Sequence, residues 1–87
     1  MDVRFTEHAI EKAVERGTTE DEVTYVIFEG AEIPAKKGRK AKEMVFSYNR
    51  EWLGRFYLQK KVVAIYVEEY GEIIVISVKV YYGEWSW

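Results

Sequence analysis

A single α+β domain, two N-terminal helices followed by a three- to five-stranded antiparallel sheet, is the fold class this sequence predicts over residues 1–87. Three observations predict it. Apolar residues recur at helical spacing up to residue 29, and at a period of two from Ala31 onward. Capping residues bracket both helical stretches. The strand-like remainder is divided by short glycine turns rather than linkers, with 6 glycines and 1 proline in the whole chain.

In chain order, Val3 and Phe5 alternate with polar neighbours, as a short strand or an extended lead-in would. Thr6 suits an N-cap and Glu7 the first turn of a helix. Ala9, Ile10, Ala13 and Val14 follow at helical spacing, and Gly17 supplies a left-handed stop. Thr19-Glu20-Asp21-Glu22 reads as a capping box, Thr19 capping and Glu22 reaching back. Val23, Val26 and Ile27 form the buried stripe of this second helix and Gly30 ends it. The short link makes the two helices a compact hairpin.

Ala35-Lys36-Lys37-Gly38-Arg39 then reads as a turn between a short strand near 32–35 and a longer one near 42–48. Residues 49–54 read as a loop. Residues 55–59 and 62–69 form two strands, or one long strand bulged at Lys60-Lys61. Tyr70-Gly71 turns the chain into a partner strand over 72–82. Strict alternation would aim Ile74, Ile76, Val78, Val80 and Tyr82 at the core. Ile73, Val75, Ser77, Lys79 and Tyr81 would face the other way.

Composition removes several classes of chemistry. With 0 cysteines and 1 histidine, disulfide scaffolds, thiolate or multi-histidine metal sites and thiol nucleophiles are excluded. No glycine-rich loop opens a helix, so no nucleotide motif, cofactor or metal is expected. Asp2, Arg4 and Glu7 break any signal-like stretch, and the longest apolar runs are strand-sized; the expectation is a cytoplasmic domain with no membrane partner. Asn49 and Gln59 are the only amides beside plentiful Glu and Lys, a composition that leans toward a thermophile.

Charge is polarised along the chain. The net charge is −2, yet residues 1–33 hold nine acids against three bases and residues 34–50 hold six bases against one acid. Three patterns follow that could carry chemistry. His8, Lys12 and Arg16 repeat at four-residue spacing along the first helix, as a phosphate-binding stripe or a solvated flank would. Lys36, Lys37, Arg39, Lys40 and Lys42 crowd one turn, as phosphate contacts or as guards of a sheet edge. Aromatics interleave with cations through the sheet, and Tyr66, Ser77, Lys79 and Tyr81 are the expected non-core set. Trp85 and Trp87 would cover a sheet edge or meet a partner.

The run Phe5-Thr6-Glu7-His8-Ala9, with Lys12, Glu15-Arg16-Gly17 and Thr18-Thr19-Glu20-Asp21-Glu22-Val23, resembles the opening of a family of small prokaryotic domains of unknown function. Lys60 to Val63, Tyr66 to Glu69 and Glu72 to Val78 are similar to that family's closing hairpin. The resemblance implies an α-α-β-β-β order akin to RelE-type toxins, the ribonucleases of toxin–antitoxin pairs. Such enzymes activate a ribose 2′-hydroxyl and stabilise a phosphorane with Lys, Arg and Tyr, without metal. His8 and Arg16 match the family's helix residues; Lys12 replaces the more usual Arg, and Ser77 stands where Thr is common. The expected catalytic set is therefore His8, Lys79 and Tyr81. The expected RNA-binding set is Lys12, Arg16, Lys36, Lys37, Arg39, Lys40, Lys60 and Tyr66. Partners implied are RNA and an antitoxin protein. The competing expectation is a non-enzymatic interaction module, its acidic helices pairing with the basic hairpin of a second copy in a homodimer.

Overall fold

The computed structural model describes residues 2–85. The elements are β1 (Asp2–Phe5), α1 (Glu7–Arg16), α2 (Glu20–Glu29), β2 (Ala31–Ile33), β3 (Lys40–Trp52), β4 (Arg55–Glu69) and β5 (Glu72–Gly83). The strands form one five-stranded sheet in the order β1-β5-β4-β3-β2. From β2 to β5 all pairs are antiparallel, but β1 runs parallel to β5, Asp2 opposite Glu72 and Phe5 opposite Val75. The sheet is thus mixed, which corrects the purely antiparallel expectation. The cause is tertiary: Val3 and Phe5 pack against the core, and that contact carries their backbone to the last strand in the chain.

Both helices lie on one face. Thr6 Oγ1 accepts from the Ala9 N–H at 3.1 Å, and Thr19 Oγ1 accepts from the Glu22 N–H at 3.1 Å. Gly17 ends α1 at φ 84°, and the Thr18 N–H reaches Ala13 O at 2.9 Å. Only Ala9 and Ala13 of the α1 stripe are buried; Ile10 and Val14 stay outside. Two alanines let the helix axis lie close over β5. Val23, Val26 and Ile27 of α2 are all buried, as their spacing predicts. Gly30 is extended, not left-handed; any Cβ there would collide with the carbonyl oxygens of Val26 and Glu43. Neither helix is long and apolar enough to cross a membrane.

The three long strands form a meander. Residues 49–54, read above as a loop, mostly extend β3; the chain turns only at Leu53-Gly54. Both central residues of that turn have positive φ (50° and 83°), as do Tyr70 and Gly71 of the next (50° and 79°). β4 is unbroken at Lys60-Lys61, which keep their register opposite Phe46 and Val45. The irregularities fall elsewhere. One lies between Ser47 and Arg50, where Asn49 takes φ 51°. In the other, Ile65 pairs with Ser77 but Tyr66 with Val75, leaving Ile76 as an extra residue on β5.

That bulge reverses the alternation. On its C-terminal side Val78, Val80 and Tyr82 share the helical face, as expected. On its N-terminal side Ile73 and Val75, not their neighbours, enter the core. Tyr66, opposite Val75, goes with them and is 3% exposed, which corrects its expected place on the open face. Ala9, Val23, Val26, Ile27, Val62, Ala64, Tyr66, Ile73, Val75 and Val78 make up the core cluster.

Candidate functional site

The face away from the helices carries its own concavity. Period-two alternation lines up Lys61, Val63 and Ile65 on β4 with Tyr81, Lys79 and Ser77 directly opposite on β5. On the other side Val45, Glu43 and Ala41 oppose the same three β4 residues. The segment 34–39 rises from the β2 edge, closed by an Arg39 N–H to Lys36 O bond of 2.9 Å, and forms the wall of a groove of about 670 Å3. Ala41 and Val63 are buried beneath it and give it an apolar floor. Lys36, Arg39, Lys61 and Lys79 surround that floor, with Glu43 the one acid among the lining residues. Glu43 Oε1 stands 3.9 Å from Lys61 Nζ, at the limit of an ion pair, so the lining keeps a positive excess.

Past β5 the chain folds back onto this face. The Trp85 N–H donates to Gln59 Oε1 at 2.6 Å, and Lys61 Nζ lies 4.9 Å from the centre of the Trp85 ring. The same cation thus lies over the Trp85 ring and has Tyr81 as its partner across the strand pair. Trp87 falls outside the described residues.

A second polar cluster, on the helical face, is internal. Lys60 is 7% exposed; its Nζ meets Glu22 Oε1 at 2.7 Å and Gly17 O at 3.0 Å and sits over the Tyr48 ring. Glu22 also accepts from Thr18 Oγ1 at 2.6 Å, so its carboxylate is turned toward Lys60 and Thr18. The reach back to Thr19 that a capping box would have is replaced by these contacts. Tyr82 Oη donates to Arg16 O at 2.7 Å, and its ring is stacked on Trp52 and flanked by Tyr48 and Tyr57. Burial pushes the Tyr82 hydroxyl up to about 12, with Tyr48 and Glu22 adding to it. Tyr66 is raised too, mainly by burial and then by the Glu68 charge.

The eleven expected site residues therefore separate. Lys36, Arg39, Lys79 and Tyr81 line the groove together. Arg16 reaches the edge of β5 beyond the short β1 pairing, where its Nη1 donates to Val78 O at 2.7 Å beside Lys79 and Tyr81. His8 is exposed in the first turn of α1, on the opposite layer from Lys79 and Tyr81. Lys12 is paired with Glu15 at 3.0 Å, and Lys40 with Glu68 at 3.1 Å, which raises the Lys40 ammonium through that hydrogen bond. Lys37 stands exposed on the loop outside the groove lining. Lys60 and Tyr66 are buried under the helices. Lys61 and Trp85 stand outside the expected site set, although Trp85 was already read as covering a sheet edge or meeting a partner. Adjacent strand residues point to opposite faces, so one of Lys60 and Lys61 had to reach the open face; that signal was in the sequence, although which one was not.

No family model, curated protein or solved structure matches this chain.

Proposed function

We propose that the open sheet face binds single-stranded RNA, in the manner of a small RelE-like domain. The observation that carries the reading is the set of four cations, Lys36, Arg39, Lys61 and Lys79, around an apolar floor with Tyr81 among them. Cations at this density meet successive phosphates, and an exposed aromatic ring offers a surface to an unpaired base. Such a face supports cleavage in which a ribose 2′-oxygen bonds to the adjacent phosphorus, losing its proton to water, while the P–O5′ bond breaks to leave a 2′,3′-cyclic phosphate. Lys79 and Arg39 would stabilise the five-coordinate phosphorus, and the Tyr81 hydroxyl is the group at hand to protonate the departing 5′-oxygen, regaining its proton from water. His8, on the other layer, has no part in this arrangement.

The experiment is RNA binding across a salt series. For a single strand the logarithm of affinity falls with log salt at about 0.7 per phosphate contact, so Lys79→Ala should reduce that slope by about 0.7. Lys12→Ala, from the helical layer, should leave it unchanged. The same samples, run on a gel, report cleavage. A wild-type protein that fails to bind RNA at low salt ends this reading.

A non-enzymatic protein module is the second reading, favoured by charge. Glu7, Glu11, Glu15, Glu20 and Asp21 are exposed on the helical layer, while Lys36, Lys37 and Arg39 are exposed on the loop. An acidic partner, a second copy or an antitoxin-type protein, would then occupy the same groove. A dimer that dissociates in salt, in a protein that ignores RNA, would replace the first reading with this one.

A further inference from the structure

We infer that Trp85 is a base-stacking platform for the groove, with Lys61 beside it as the matching phosphate contact; the inference rests on the RNA reading above. Trp85 lies outside the core cluster, so burial of its indole among the helices is not what places it. Two contacts do. Its backbone N–H is held by Gln59 Oε1 at 2.6 Å, and its ring lies against the backbone of Gly83, where an added Cβ would come within 3.5 Å of the ring. A Cβ at Gly83 would make ordinary van der Waals contact with the indole. Trp85 as a whole is half-buried, so part of the residue is open to solvent.

Lys61 connects this ring to the groove. Its Nζ is 4.9 Å from the Trp85 centroid, its strand partner on β5 is Tyr81, and it belongs to the groove lining itself. One cation set between the Trp85 ring and the residue opposite it, Tyr81, matches the alternation of a single strand, in which each phosphate is followed by a base. Stacking on an indole tolerates any base, because every base has a π face, but it requires that the base be unpaired. Trp85 therefore selects for single strands without reading their sequence. Because the Lys61 ammonium lies over the indole, a base stacking on that face takes its place and leaves the cation free for the adjoining phosphate.

The test separates bases from phosphates. Binding is measured by fluorescence anisotropy for a labelled single-stranded oligouridylate and for an abasic oligomer of equal length and charge. The wild type should bind the oligouridylate about tenfold more tightly than the abasic chain. Trp85→Ala should lose most of that ratio with little change in abasic affinity, and Trp85→Phe should keep much of it. A Lys61→Met variant should weaken both ligands. Circular dichroism of Trp85→Ala should match wild type, since the residue is outside the core. If wild type binds both oligomers equally, or Trp85→Ala keeps the ratio, the stacking assignment is wrong while RNA binding stands. If wild type binds neither oligomer, both readings fall together.

Discussion

Lys60 Nζ lies 2.7 Å from Glu22 Oε1, a buried ion pair that joins the middle of β4 to the first turn of α2. The cation also donates to Gly17 O of the interhelical link, and the carboxylate also accepts from the Thr18 hydroxyl. One pair thus ties the sheet, the end of α1 and the start of α2. No buried side-chain nitrogen or oxygen among the described residues lacks a partner, so the desolvation cost of both charges is offset by local contacts.

Removing one member should be costly. Lys60→Met leaves Glu22 half-buried without its cation and should lower stability by about 3 kcal/mol in urea unfolding. The double change Lys60→Met with Glu22→Gln should recover part of that loss, because the uncompensated charge is gone. Neither change should alter the salt slope of RNA binding, since the pair faces away from the groove.

Two glycines with nearly the same backbone angle should respond differently to alanine. Gly17 (φ 84°) sits where a Cβ would run into the Tyr82 hydroxyl and the Trp52 ring, while Gly71 (φ 79°) faces open space. Gly71→Ala should cost only the left-handed strain, about 1 kcal/mol. Gly17→Ala should cost clearly more, because the aromatic cluster must shift as well. Thermal melts of the two variants decide the comparison; equal losses would mean the cluster yields freely.

Tyr82 should make stability fall in alkali. Its hydroxyl is pushed up to about 12 by burial, against the ordinary 10.0, so the folded state holds the proton more tightly than the unfolded chain. This contribution is complete below pH 10 and is lost as pH rises through the folded value near 12. Tyr82→Phe should flatten that part of the curve relative to wild type, and should lose about 1 kcal/mol at neutral pH with the hydrogen bond to Arg16 O. Urea midpoints for the two proteins across the alkaline range, taken as a difference, cancel the lysines common to both.

The parts of the fold legible in advance were those whose causes lie within a few residues. Thr6 and Thr19 cap because their hydroxyls reach N–H groups three positions on, and Gly17 stops α1 because a left-handed angle suits it. Tyr70-Gly71 turns for the same kind of reason. Within the candidate site, Lys79 and Tyr81 were placed on the open face by simple alternation beyond the bulge, and Lys36 and Arg39 were marked by local charge density.

What failed depended on a partner strand. Nothing near Tyr66 in the chain announces that Ile76, across the sheet, adds a residue and reverses the facing of β5. The sequence by itself determined the helical hairpin, the strand-rich remainder, the acidic N-terminal segment with the basic segment after it, and the absence of thiol chemistry. Only the tertiary structure decided that β1 pairs parallel with β5, that Lys60 goes inward while Lys61 goes outward, and that His8 and Lys79 lie on different layers. Register and burial are set by packing between distant segments, where one extra residue exchanges the two faces of a strand.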